Sequence, residues 1–248
     1  MFYLEICANS FTSALAAQNG GAYRVELCEN MAEGGTTPSY AQIKLCKENL
    51  SIQVWPIIRP RGGDFLYSDL EFNLMKEDIK ICKSLNCDGI VIGILKEDGE
   101  IDTHRCAELI SLAKPMPVAF HRAFDMSNNL SKALEDLINL GIVRVLTSGA
   151  AATALEGKEV IEQLVKQANG RIEIMPGAGV NPQNIKQIIA STGAKTVHSS
   201  ARVFVKSKMK FRNTNSTMGN ETDEYQHQQT SVDMVKELIE NVKNTSLA

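Results

Sequence analysis

Glu5-Ile6-Cys7 and its near-repeat Glu26-Leu27-Cys28 decide the fold, because each closes a short apolar run at the same point of a repeating unit. In both copies an acidic residue and a cysteine stand two positions apart. Side chains two apart on a β-strand share a face. Each copy therefore predicts a strand that presents a carboxylate and a thiol together at its end.

Eight apolar runs of this kind alternate with helical patterns along the 248 residues. The predicted strands are Tyr3–Cys7, Arg24–Cys28, Val54–Arg59, Gly89–Leu95, Val118–His121, Val143–Ser148, Arg171–Met175 and Thr196–His198. Strict alternation of strand and helix implies a parallel sheet with helices outside, and eight units of this length fit one closed (β/α)8 TIM barrel. An open doubly wound sheet is the alternative, but it needs a glycine-rich turn after the first strand. That turn reads Cys7-Ala8-Asn9-Ser10.

Composition excludes several classes of partner. The net charge of −3 is small and well mixed, which argues against nucleic acid and anionic membranes. The apolar runs are strand-sized, far short of the ~18 residues that a membrane span needs. We see no leader-like segment before the first strand, and we therefore expect a cytoplasmic protein whose six cysteines are reduced.

The alternation places many polar residues on the inner face of the barrel, where branched apolar side chains are usual. Arg24, Arg144 and Glu173 lie early or midway in their strands and are the better candidates for a structural ion network. The candidates for a functional site lie near strand ends: Glu5, Glu26, Arg59, His121 and His198. Glu5, Glu26 and His121 form the candidate acid/base set, which suits isomerase-like or lyase-like proton transfer.

The loops after the strands suggest a second feature, an anion site. Arg59 and Arg61 flank a Gly-Gly turn and suit a carboxylate or phosphate, although Arg61 can equally pair with Asp64 of the same loop. The loops after strands six to eight occupy the usual phosphate site of such barrels. The candidate ligand-binding residues there are Ser148, Gly177, Gly179, His198, Ser200 and Arg202. These features predict a small anionic or phosphorylated metabolite as partner.

The cysteines divide into two groups. Cys7 and Cys28 end neighbouring strands only ~4.8 Å apart, so their thiolates can hold a soft ion such as Cu(I); ordinary buried thiols are the alternative. The others fall in helical patterns and are expected to be small buried side chains: Cys46, Cys82, Cys87 and Cys106.

Residues 203–229 interrupt the pattern with a polar stretch that we expect to be irregular, over or beside the barrel mouth or against a neighbouring subunit. A final helix is predicted over 230–245. Barrels of this type commonly pair, and a homo-oligomer is expected.

Long strings in nearly the whole chain resemble the copper homeostasis protein CutC family. They include the two cysteine strings, Glu33–Ser39, Ile58–Phe65, Phe120–Asp125 and His198–Arg202. The resemblance implies a TIM barrel, a cytoplasmic protein and a role in copper handling, with Cu(I) bound by Cys7 and Cys28. Ala178, where the family usually has glycine, and the all-serine pair Ser199-Ser200 depart from the pattern. Two hypotheses follow: a Cu(I)-binding protein, or an enzyme acting on a small anionic metabolite.

Overall fold

Eight parallel strands and eight helices alternate in the part of the chain that this computed structural model describes, which is residues 2–213, 215–216, 218 and 223–243. The strands are β1 Tyr3–Ala8, β2 Arg24–Leu27, β3 Gln53–Pro56, β4 Ile90–Ile92, β5 Val118–Phe120, β6 Arg144–Thr147, β7 Glu173–Pro176 and β8 Thr196–Ser199. The helices are α1 Phe11–Gly20, α2 Tyr40–Asn49, α3 Asp69–Ser84, α4 Thr103–Ala113, α5 Leu130–Asn139, α6 Lys158–Ala168, α7 Ile185–Thr192 and α8 Val232–Lys243. Each observed strand overlaps a predicted one, and the single-domain (β/α)8 prediction is confirmed.

The barrel consists of two half-sheets, ordered β3-β2-β1-β8 and β4-β5-β6-β7. They join between β3 and β4, where the N–H of Ile58 donates to the carbonyl of Val91 at 2.7 Å. At the other junction β7 lies beside β8, and the Thr196 hydroxyl donates to Glu173. The β1 register pairs Glu5 with Arg24 on one side and with His198 on the other, which brings residues from three chain segments to one place.

Alternation along the strands divides the apolar core in two. The outward-facing side chains, such as Ile6, Val25 and Val145, belong to the large cluster that packs against the helices. A small second cluster fills the inside of the barrel: Cys7, Cys28, Trp55, Ile57, Val91 and Ala119. The interior is therefore narrow and partly apolar below the mouth.

Helix ends follow local chemistry. The capping box of Ser68 and Glu71 opens α3. Asn181-Pro182 has the sequence of a helix start, but α7 does not begin there. The Asn181 side chain accepts the N–H groups of Gln183 and Asn184 in a turn, and α7 begins only at Ile185.

The segment 203–229 begins and ends in regular structure, which differs from the irregular course expected of it. β9 (Arg202–Lys206) pairs antiparallel with β10 (Gln226–Thr230). Asn9 and Ser13 hold this pair against the start of α1 through hydrogen bonds to the backbone of Gln228 and Thr230. We call β9 and β10 the ribbon.

The final helix starts two residues later than predicted, because Thr230 still pairs with Arg202 in the ribbon. The Ser231 hydroxyl then accepts the N–H of Met234. Positions 244 and 245 of the predicted helix lie outside the described residues. Nowhere in the described ranges is there a helix with the length and apolar character needed to cross a bilayer.

Candidate functional site

The carboxyl ends of the strands surround a cavity of about 920 Å³. Its floor is formed by side chains from inside the barrel, among them Cys7, Glu26 and His198. Its walls are the loops after β2, β3, β4, β5, β7 and β8. This is the face on which TIM barrels place their chemistry.

Three sulfur atoms meet at the edge of this floor. The Sγ atoms of Cys7 and Cys28 lie 3.4 Å apart. The Sδ atom of Met31 lies 3.0 Å from the Sγ of Cys28 and 3.5 Å from that of Cys7. Both thiols are buried and free, while Met31 is half-buried. The two cysteines predicted to lie together do so, and Met31 was missed because its thioether reads as an apolar side chain; the Cys-x-x-Met spacing was the available signal.

A short loop places Met31 over the thiols. Asn30 adopts a left-handed conformation (φ 48°), which turns the chain back toward the barrel after β2. Backbone hydrogen bonds between Glu29 and Thr36, at 2.8 and 3.0 Å, close the loop. Gly35 (φ 92°) packs against Cys28, where a Cβ atom would lie 3.3 Å from the cysteine Cβ.

His198 links the two acidic residues of the cysteine strings. Its Nδ1 lies 2.8 Å from Glu5 Oε1, and its Nε2 lies 3.7 Å from Glu26 Oε2. The ligand atoms of Cys7, Glu26 and His198 all lie within 4.8 Å of one another. Thiol, imidazole and carboxylate therefore share one buried corner of the site.

The charges in this corner alternate. Burial opposes ionisation of Glu5, but Arg144, the hydrogen bond from His198 and Arg24 outweigh it and hold its pKa well below the usual range. Burial also disfavours a charged His198, yet its hydrogen bonds to Cys7 and Glu5 and the charge of Glu26 raise its pKa well above the ordinary value. The surroundings thus favour the protonated ring of His198 and the ionised carboxyl of Glu5.

For Cys7 and Glu26 the surroundings favour the neutral form instead. The hydrogen bond with Cys28 and then burial raise the pKa of the Cys7 thiol well above its ordinary value. Burial raises the pKa of Glu26. In the absence of an ion, Cys7 is therefore a neutral thiol.

Below the sulfur atoms lies a buried ion network. Glu5 accepts one hydrogen bond from Arg24 and lies 3.1 Å from Arg144. Glu173 lies 3.4 Å from Arg24 and 3.6 Å from Arg144. The guanidinium of Arg144 stacks over Trp55 at 4.3 Å. The structural ion network that the sequence suggested contains Arg24, Arg144 and Glu173. Glu5 belongs both to this network and to the site above it.

His121 lines the same cavity as Glu26 but is not a member of the compact group formed by Cys7, Glu26 and His198. Its strand β5 belongs to the other half-sheet, and the imidazole that reaches Glu5 and Glu26 is that of His198. The Nδ1 of His121 accepts the N–H of Ala123 at 3.1 Å, and its Nε2 has no hydrogen-bond partner among the described residues. Burial, and then the charge of Arg59, lower the pKa of His121 to about 3.

Arg59 and Arg61, which were predicted to bind an anion, instead bind groups of the protein itself. Arg59 donates to the carbonyls of Glu33, Gly35 and Gly63 at 2.7 to 2.8 Å. It therefore fixes the loop that carries Met31. Arg61 pairs with Glu71 and with Asp64, the alternative that the sequence left open.

The remaining predicted ligand-binding residues line or support the opposite rim. The Ser148 hydroxyl donates to the Ala151 carbonyl at 2.6 Å and accepts from Arg122 at 2.8 Å, and it is buried beside Asp125. Gly177 lies so close to His198 that a Cβ atom would be 3.2 Å from the histidine Cβ.

Gly179, Ser200 and Arg202 line the cavity. Gly179 has a left-handed backbone (φ 70°), and Arg202 donates to Gln228 of the ribbon at 2.6 Å. The structure thus places these residues at the mouth, where Arg202, the first residue of β9, is bound to β10.

Comparison with known proteins adds relatives that match along nearly the full length. The model of the CutC family matches residues 2–203, which include all eight barrel strands. A CutC family protein of Chromobacterium violaceum is 50% identical over 238 residues, 96% of each chain. The copper homeostasis protein cutC homolog of Homo sapiens is 47% identical over 245 residues, covering 98% of this chain and 90% of that protein. A solved structure from Streptococcus agalactiae, described as a CutC copper homeostasis protein, is similar with a TM-score of 0.77 and 40% identity, over 81% of this chain and 99% of that one.

Proposed function

Because this chain belongs to the CutC family, whose relatives carry the name of copper homeostasis proteins, we propose that it binds Cu(I) as its cargo through Cys7 and Cys28. The observation that carries the proposal is the 3.4 Å separation of the two Sγ atoms. Thiolates at this separation can bind one ion together, and soft sulfur ligands favour soft ions such as Cu(I).

The surroundings of the thiols favour sulfur over nitrogen as the ligand. Only a neutral imidazole has a lone pair for a metal, and the hydrogen bonds to Cys7 and Glu5 and the charge of Glu26 raise the pKa of His198, which disfavours that neutral form. A structural zinc site usually has four nitrogen or sulfur ligands. Glu26 and His198 do lie within 4.8 Å of the Cys7 Sγ, but the raised pKa of His198 disfavours the neutral ring that zinc would need.

Anaerobic titration with Cu(I) against a competing chelator tests the proposal. The wild type is expected to bind one equivalent, and the Cys7→Ser, Cys28→Ser double variant to bind at least a hundredfold more weakly. Cys46→Ala is the matched control, because Cys46 is buried in α2 within the outer core cluster. Equal affinity in the double variant and the wild type would remove the assignment.

A cytoplasmic location and a homo-oligomer are parts of the same proposal. Reduced thiols persist in the cytoplasm, and all six cysteines are free. The ribbon exposes Val203 and Phe204, and apolar side chains in such a position favour a protein contact. Cell fractionation tests the first part, and light scattering of wild type against Phe204→Ser tests the second.

A second candidate function, acid/base catalysis on a small anionic metabolite, is favoured by the cavity of about 920 Å³, which is far larger than one metal ion needs. Arg122 and Arg202 line it, and the Nε2 of His121 has no partner among the described residues. A thermal-shift screen with phosphorylated metabolites tests this function. Stabilisation that is lost in Arg202→Ala would support it, and no response to the panel would count against it.

A further inference from the structure

We infer that the thioether of Met31 is a third ligand, so that the site holds a soft monovalent ion among three sulfur atoms. The inference rests on the proposed function, since it takes Cys7 and Cys28 as the first two ligands. It concerns a residue outside both cysteine strings and assigns the loop after β2 a role in binding.

The first argument is geometric. Each pair among the three sulfur atoms is separated by 3.0 to 3.5 Å, so Met31 is as close to each thiol as the thiols are to each other. A methionine that only filled space could contact the cysteines through any of its side-chain atoms. Here it is the Sδ atom that lies next to both Sγ atoms. The sulfur atoms form a triangle.

The second argument is the construction of the loop. Asn30 adopts the left-handed region, and the turn that follows is fixed by N–H donation from Glu33 and Gly35 to the carbonyl of Asn30 at 3.1 and 3.2 Å. Arg59 then binds the carbonyls of Glu33 and Gly35 with one nitrogen. A buried guanidinium thus holds the loop so that Met31 lies over the cysteines.

The third argument is chemical. A thioether is a soft, neutral ligand that suits Cu(I) and is a poor ligand for hard divalent ions. Two thiolates with one monovalent ion carry a net charge of −1, and the thioether adds no further negative charge. When the ion binds, the thiols of Cys7 and Cys28 each release one proton to solvent, while Met31 releases none.

The position of Met31 also fits a site that exchanges its cargo. Cys28 is fully buried and Cys7 is nearly so, whereas Met31 is half-buried and lines the open cavity. An ion arriving through the mouth therefore meets the thioether side of the triangle. The ligand that lies outermost is also the one that binds without losing a proton.

The test compares Met31→Leu with Met126→Leu. Leucine keeps the bulk of the side chain and removes the sulfur. Met126 is the matched control, because it lines the same cavity but is exposed at the end of the 3₁₀ turn Arg122–Met126. In anaerobic Cu(I) competition titrations, Met31→Leu is expected to weaken binding ten- to a hundredfold, and Met126→Leu to change it less than twofold.

A spectroscopic readout makes the test independent of folding in the variant. In protein labelled with selenomethionine, X-ray absorption at the selenium edge is expected to show copper as a neighbour of one of the nine selenium atoms. That signal should persist in Met126→Leu. Silver(I) provides the same probe without a redox change.

The outcomes separate this inference from the proposed function. Wild type that binds Cu(I) tightly through Cys7 and Cys28, with no copper neighbour at selenium and unchanged affinity in Met31→Leu, would overturn the third ligand and leave the proposed function intact. Wild type that binds no Cu(I) would overturn both. Weaker binding in Met31→Leu together with a selenium–copper neighbour in the wild type supports the three-sulfur site.

Discussion

The two buried histidines of the barrel mouth have opposite chemistry, although each stands at the end of a strand. His198 lies on the β8-β1-β2 side, where Glu5 and Glu26 face it, and its pKa is raised. His121 lies on the β4–β7 side against Phe65, Phe120 and the charge of Arg59, and its pKa falls to about 3. Burial acts in the same direction on both rings, so the neighbours alone decide which one is charged.

The mouth of the barrel therefore has two different halves. The half at β8, β1 and β2 carries the ionic groups and the sulfur atoms, and in the second half, at β4–β7, polar groups bind one another. On the second half Asp125 accepts hydrogen bonds from Thr147, Ser148 and Ala150. These polar groups are already hydrogen-bonded to one another. The chemistry available to a ligand is therefore concentrated on the half built by β8, β1 and β2.

The largest expected effect comes from breaking the ionic half at Glu5. Glu5→Gln leaves the buried groups Arg24, Arg144 and His198 without the carboxylate that they share. We expect a loss of about 3–5 kcal/mol in the free energy of unfolding, measured by urea denaturation.

Glu173→Gln is the control for that change. Glu173 faces the same two arginines, but a third of its side chain is exposed. Its loss should be about 1 kcal/mol or less. Equal losses in the two variants would show that Glu5 is not the centre of the network.

A somewhat smaller effect is expected from Arg59→Met, which tests whether the sulfur half depends on its loop. The change removes three charge-assisted hydrogen bonds to carbonyls of Glu33, Gly35 and Gly63. We expect about 2–4 kcal/mol of destabilisation. Cu(I) affinity should fall with it, as in Met31→Leu, and an unchanged affinity would show that Met31 holds its place without the clamp.

The pH dependence of stability sharpens the contrast between the histidines. The folded pKa of His121, about 3, lies below the ~6.5 of an unfolded chain, so the unfolded state binds more protons between these values. The stabilisation by neutral His121 is complete above pH ~6.5 and is lost as the pH falls, at up to ~1.4 kcal/mol per pH unit. The expected loss is about 2 kcal/mol at pH 5.

His121→Gln should remove this part of the pH dependence, since an amide can accept the Ala123 N–H but does not titrate. Denaturation at pH 7 and pH 5 in both proteins gives the difference. A wild type and variant with parallel pH curves would contradict the assignment of a neutral ring.

The smallest effect is expected at Arg61, which resembles Arg59 in sequence but not in surroundings. Its side chain is more than one-third exposed and pairs with Asp64 and Glu71 at the surface. Arg61→Ala should cost about 1 kcal/mol or less and leave Cu(I) affinity unchanged. A loss as large as that in Arg59→Met would show that the two arginines act as one clamp.

Much of the fold could be predicted from the sequence because strand and helix periods alternate so regularly. The period of two also placed Cys7 and Cys28 correctly inside the barrel. The grouping of His121 with Glu5 and Glu26 could not be checked at that level, because strand order gives neighbours but not distances across a closed ring. The role of Arg59 was hidden for another reason: its partners are backbone carbonyls, which leave no trace in residue identity.

The ribbon has a mechanical consequence for the closed ring. The ribbon is hydrogen-bonded to Asn9 and Ser13. Helix α8 follows it, and Val235 of α8 packs against Gly20 of α1. The ribbon and α8 therefore both contact the first βα unit. A protease that cleaves the backbone at exposed Lys208 or Lys210 would cut the chain between β9 and β10. The noncovalent contacts of the ribbon and α8 with α1 would remain. The two fragments should travel through a gel-filtration column as one particle and separate only in denaturant.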